Sequence, residues 1–142
     1  MTRLKDLVAP CGLDCFNCKL QENNITEKAK QFYAEALKIP LEKLPCKGCR
    51  GEKGQPLVFS LCPTYLCAEK NGVDFCFQCG EFPCTKLMPA ADGAGKYPHN
   101  YKLYNLCRMK LVGLEKWAED ESMDIRMKYL RLPGTSLELA CR

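Results

Sequence analysis

The sequence predicts a small metal-stabilised domain, mainly α with irregular cysteine-knuckle loops and little β. Three observations predict it. The chain has 142 residues, the length of one ordinary domain, yet carries twelve cysteines, several times ordinary usage. Ten of them lie between Cys11 and Cys84, and three pairs, Cys15/Cys18, Cys46/Cys49 and Cys76/Cys79, share the C-x₂-C spacing that turns two sulfurs toward one ion. Elsewhere apolar residues recur at three- and four-residue steps, the period of helices, with no strand–helix repeat.

The first cysteine group is Cys11, Cys15 and Cys18. Its C-x₃-C-x₂-C spacing is that of radical S-adenosylmethionine enzymes, but a complete (β/α)₈ barrel needs roughly 200 residues or more. A helix is predicted over 24–37, with Ile25, Ala29, Phe32, Tyr33, Ala36 and Leu37 on one stripe, Asn24 and Glu27 as a capping pair, and a stop at Pro40. Residues 45–84 hold nine glycines or prolines and seven cysteines. Such a segment buries too little to fold alone, and metal coordination, worth on the order of 10 kcal/mol, compensates its ordering entropy. Gly48, inside one knuckle, and Gly80, after another, are expected at positive φ, where backbone folds tightly around sulfur. Within this stretch Pro63 starts a helix running to Lys70 with Asn71-Gly72 as its stop, and Pro83 starts another through Met88. Cys62, Cys67 and Cys84 would then stand at helix beginnings, where the dipole favours thiolate.

Residues 89–98 read as a linker by composition, separating a cysteine-rich region, 1–88, from a helical region, 99–142, that packs on it. In the latter, Leu103, Leu106, Cys107, Lys110, Leu111, Leu114, Trp117 and Ala118 form a helical stripe, with a break expected at Gly113. Cys107 is expected in the core, His99 in a solvated loop, and Cys141 as a free thiol. A third helix is predicted over 122–132, its Arg126, Lys128 and Arg131 placed late, as the helix dipole prefers.

Six disulfides are the rival reading of this cysteine density. The start, M-T-R-L-K-D-L-V-A-P-C-G, has no apolar export core and no run reaches membrane-spanning length, so a cytoplasmic protein with reduced thiols is expected. The single histidine, His99, leaves any closed site almost wholly thiolate. The ligand set is therefore Cys11, Cys15, Cys18, Cys46, Cys49, Cys62, Cys67, Cys76, Cys79 and Cys84, enough for about two zinc ions, or for 4Fe–4S clusters in the alternative. Adjacent groups can pair or alternate groups interleave; the likeness of the Cys46/Cys49 and Cys76/Cys79 knuckles favours interleaving. The formal charge is +4. Each four-thiolate zinc site adds about −2, which brings the loaded chain near neutrality and removes most of the case for nucleic acid.

No phosphate-loop, dinucleotide or H-E-x-x-H motif is present, and nothing nominates a catalytic acid or base. A zinc site closed by four sulfurs points to a binding or adaptor module with a protein partner and no membrane. The alternative is a small iron–sulfur electron carrier. A nucleic-acid-binding zinc-knuckle protein is a minor alternative, using Lys102, Arg108, Lys110 and Lys116 among Tyr97, Tyr101 and Tyr104, residues otherwise read as a solvated helix face.

Three segments carry a family resemblance: A-P-C-G-L-D-C-F-N-C at 9–18, P-C-K-G-C-R-G at 45–51, and C-A-E-K-N-G-V-D-F-C-F-Q-C-G-E-F-P-C at 67–84. Over roughly residues 8–120, including G-L-E-K-W at 113–117, the chain resembles a family of small cysteine-rich bacterial and archaeal proteins whose function is unknown. The resemblance implies a metal-binding domain and no particular reaction or partner.

Overall fold

Outside the segments 27–37 and 63–70, glycine, proline and cysteine interrupt the helical period in the first half of the chain, so short turns dominate there. The computed structural model describes residues 3–54, 57, 61–87 and 98–130. Helix α1 is Glu27–Leu37, α2 the single turn Gly48–Gly51, α3 Pro63–Lys70 and α4 His99–Val112. Helix α5 spans 114–130 and contains a π-helical segment at Trp117–Glu121. Single 3-10 turns include Cys15–Asn17, Cys76–Gln78 and Thr85–Leu87. Among the described residues the only β feature is an isolated parallel bridge between Gln21 and Cys46. The fold is mainly α with little β, as the sequence predicts.

Helix α1 begins two residues later than its Asn24 cap would require. Thr26 is the N-cap instead, its hydroxyl accepting from the Ala29 N–H at 3.3 Å. The packed face is Ile25, Tyr33, Ala34 and Leu37, while Phe32, expected on it, is 65% exposed. Helix α3 starts at Pro63 and stops at Asn71-Gly72 as expected. Pro83 leads into one 3-10 turn only, closed by the Leu87 N–H on the Cys84 carbonyl at 3.0 Å. Met88 and residues 89–97 of the expected linker lie outside the described residues, as do 131–142 with Cys141.

Gly113, at φ +90°, separates α4 from α5 where a break was expected. The inward face of α4 is Tyr101, Asn105, Leu106 and Met109, rotated from the predicted stripe. Leu111 is 73% exposed, and Cys107 is exposed too, correcting its expected place in the core. His99 is buried at the first turn of α4, not solvated in a loop.

Two apolar clusters flank the cysteine turns. The larger joins Val8, Ala9, Leu87, Leu106, Met109 and Trp117 with Cys11, Cys49 and Phe75. The smaller joins Leu20, Ala34, Leu44 and Leu57 with Cys46. The Cys46/Cys49 knuckle thus has one sulfur-bearing residue in each.

Candidate metal centre

The first knuckle is a 3-10 turn in which the Cys18 N–H donates to the Cys15 carbonyl at 3.0 Å. Asn24, freed from capping, clamps it from outside. Its amide Nδ2 donates to the Phe16 and Cys18 carbonyls at 2.7 and 2.8 Å. The second knuckle is laid alongside by a short ladder, in which the Cys46 N–H donates to the Leu20 carbonyl at 2.9 Å and the Glu22 N–H to the Cys46 carbonyl at 3.0 Å. At Gly48, φ +80°, the backbone N–H turns in and donates to Cys46 Sγ at 3.3 Å. That amide-to-sulfur bond needs the left-handed conformation, which glycine takes without a Cβ penalty. The glycine faces Cys15: a Cβ there would make ordinary van der Waals contact, 3.4 Å from Cys15 Cβ and 3.6 Å from its Sγ.

These contacts put the Cys15/Cys18 and Cys46/Cys49 knuckles, adjacent groups in the sequence, side by side. Local spacing made Cys46/Cys49 and Cys76/Cys79 look like partners. The Leu20–Glu22 ladder brings Cys15/Cys18 to Cys46.

The third knuckle meets Cys11. The Cys76 N–H donates to the Pro10 carbonyl at 2.9 Å, and Gln78 Oε1 accepts from the Asp74 and Phe75 N–H groups at 2.9 Å each to hold the approach loop. Cys76 has Cys11, Cys67, Cys79 and Cys84 as electrostatic neighbours, and Cys62 is a neighbour of both Cys11 and Cys49. Cys62 caps α3, whereas Cys67 lies in the body of that helix and Cys84 precedes a 3-10 turn. Of the three cysteines expected at helix starts, only Cys62 is at one. Gly80 does not take a positive φ.

Burial pushes the Cys46 and Cys76 thiols up to about 12 each, neighbouring sulfurs adding to it; the Gly48 amide opposes the rise at Cys46. Burial raises Cys11 as well. Side-chain hydrogen bonding between Cys49 and Cys15 raises Cys49 and lowers Cys15. Crowded, buried sulfurs without a cation prefer to stay protonated; a bound divalent ion would reverse that preference. Among the described residues no three Cys, His, Asp or Glu side chains form a ready-made ion site. The donor set is nonetheless chemically suited to a thiophilic ion: it is sulfur, in close pairs, with an inward amide at one of them.

Several supporting residues carry no motif. Asp14, between Cys11 and Cys15, is buried and receives Arg126 Nη1 of α5 at 2.7 Å and Asn17 Nδ2 at 3.0 Å. Burial pushes its carboxyl up against the pull of both donors. Asn17 also donates to Ser122 Oγ at 3.1 Å. Arg126, expected to complement a helix dipole, is thus a buried partner of the cysteine loop. Asn105 of α4 donates to the Gly12 carbonyl at 2.9 Å. Arg50, next to Cys49, donates through Nε to the Lys5 and Val8 carbonyls at 2.9 Å each and stacks over the Phe75 ring at 5.2 Å. Apart from the Asn17–Asp14 bond, their hydrogen-bond partners are distant in sequence, so no local signal marks them.

A groove of about 550 Å³ runs between α4 and α5 past Tyr101, Tyr104, Asp120 and Asp124. Its cations have partners within it. Arg108 is held bidentately by Glu121 at 2.7 and 2.5 Å, and Lys128 by Asp124 at 2.6 Å. On α4 Lys110 lies over the Phe82 ring at 6.0 Å, and Tyr101 is buried. Of the cations read from sequence as a basic face, Arg108 is thus paired with Glu121 and Lys110 lies over an aromatic ring. Tyr97 lies outside the described residues.

Among the described residues no helix is long and apolar enough to cross a membrane. Residues 7–89 match the family described as "Protein of unknown function (DUF3795)", which covers the cysteine-rich region and ends before α4. No curated protein and no solved structure matches the chain.

Proposed function

The chain belongs to the DUF3795 family of proteins of unknown function, and on that premise we propose that it is a thiolate metal-binding protein, a zinc-stabilised module that binds a protein partner. The observation that carries this is the meeting of two C-x₂-C knuckles from separate parts of the chain: Gly48 of the second lies against Cys15 of the first while its amide faces Cys46 Sγ. Sulfur pairs with an inward amide suit a tetrahedral zinc ion. Zinc closed by four sulfurs has no open position for substrate, so its contribution is structural and the module acts through its surface. On this reading the protein works in a reducing cytoplasm, where thiols persist as ligands.

Elemental analysis and a visible spectrum of protein purified without oxygen test it. About two zinc ions per chain with no visible absorption is the expected result. Iron with sulfide and a broad visible band would replace it with iron–sulfur electron transfer. Protein that holds no metal and takes up neither zinc nor iron would overturn metal binding altogether.

A further inference from the structure

We propose that Cys15, Cys18, Cys46 and Cys49 together form one four-sulfur zinc centre, separate from a second ion held by the group around Cys76. The assignment rests on the metal-binding reading above and adds the grouping of the ligands, which sequence spacing left open. Backbone geometry supplies the reason. The Leu20–Cys46–Glu22 ladder joins the exit of the first knuckle to the entry of the second by two backbone hydrogen bonds. Gly48 seals the contact, its α-carbon face turned to Cys15 and its N–H to Cys46 Sγ.

Core packing divides the same four residues symmetrically. Cys46 belongs to the smaller apolar cluster with Cys18 packed against it, and Cys49 belongs to the larger with Cys15 packed against it. An ion between the knuckles would therefore tie the two clusters together. Cys11 borders the group, but its preceding carbonyl accepts from Cys76, which assigns it to the other side. Loading the centre displaces four protons from the thiols to solvent, leaving a site of net charge −2.

The test uses the intact wild-type chain, with zinc as the sole metal supplied. Zinc is withdrawn by a graded chelator under reducing conditions, released zinc is counted, and the cysteines that become open to alkylation are mapped by mass spectrometry at each step. Cys15, Cys18, Cys46 and Cys49 are expected to become reactive in one phase, accompanied by one zinc per chain, while Cys76 and Cys79 follow in a different phase. Cys46 and Cys49 opening with Cys76 and Cys79, or all ten opening in one phase, would overturn the grouping while leaving metal binding intact. A chain that takes up no zinc would overturn both. As a second measurement, Cys18→Ser and Cys46→Ser should each lower zinc content by one ion, and the double variant by no more than that. Loss of two ions in the double variant would refute a shared centre.

Discussion

At Gly12, φ +93°, an added Cβ would stand 2.7 Å from the Lys102 carbonyl oxygen and 2.9 Å from Leu106 Cγ. Backbone strain and overpacking there add, so Gly12→Ala should cost about 2–5 kcal/mol in urea denaturation. Gly48→Ala meets only van der Waals neighbours and should cost about 1–2 kcal/mol from the left-handed conformation alone. The cysteines set the pH response. Cys46 and Cys76, raised from about 9 to about 12 by burial, favour the protonated form in the metal-free fold. Their contribution is full below pH 9 and is lost as pH rises toward 12, so the urea midpoint of chelated protein should fall between about pH 8 and about pH 10.5. Zinc reverses the sign at neutral pH, because binding displaces thiol protons, and its affinity should rise as pH rises from about 6 to about 8. The positive φ of Gly48 was legible in the sequence because tight C-x₂-C turns are written locally. Asp14 was not, since its buried charge is answered by Arg126, 112 positions away.

Helices were legible as helices, and their faces were not. Periodicity finds α4, yet Leu111 was placed inside, Tyr101 on a solvated face, and Asn105 was left unassigned. The inward face is set by what α4 must meet, namely the Gly12 carbonyl through Asn105 and the space above Gly12 through Leu106. Leu106→Ala should therefore cost about 2–5 kcal/mol, as a fully buried leucine does. Leu111→Ala should stay within about 0.5 kcal/mol. Equal losses in thermal or urea unfolding would restore the sequence-derived face. The cap of α1 shows the same limit: Asn24 has the right chemistry for an N-cap, but the first knuckle takes its amide for the Phe16 and Cys18 carbonyls, and Thr26 caps instead.

Across the whole molecule, α5 is fastened to the cysteine loop by one buried ion pair, Asp14–Arg126, with side chains 0% and 5% exposed. Removing one partner leaves a buried charge unanswered, so Arg126→Met should cost about 3–5 kcal/mol in urea denaturation. Adding Asp14→Asn should recover part of that loss, because the uncompensated charge goes with it; a double variant as unstable as the sum of the singles would argue against direct coupling. The sequence by itself determined the class of this protein: mainly helical, cysteine-rich, with sulfur knuckles and no phosphate-binding motif. Residue type and spacing of two to four positions carry that information, and both are local. Tertiary structure decided which knuckle faces which, where Cys107 and His99 lie, and that Arg126 answers Asp14. Each of these depends on contacts between segments far apart in sequence, whose energies come from packing and burial and leave no periodic trace along the chain.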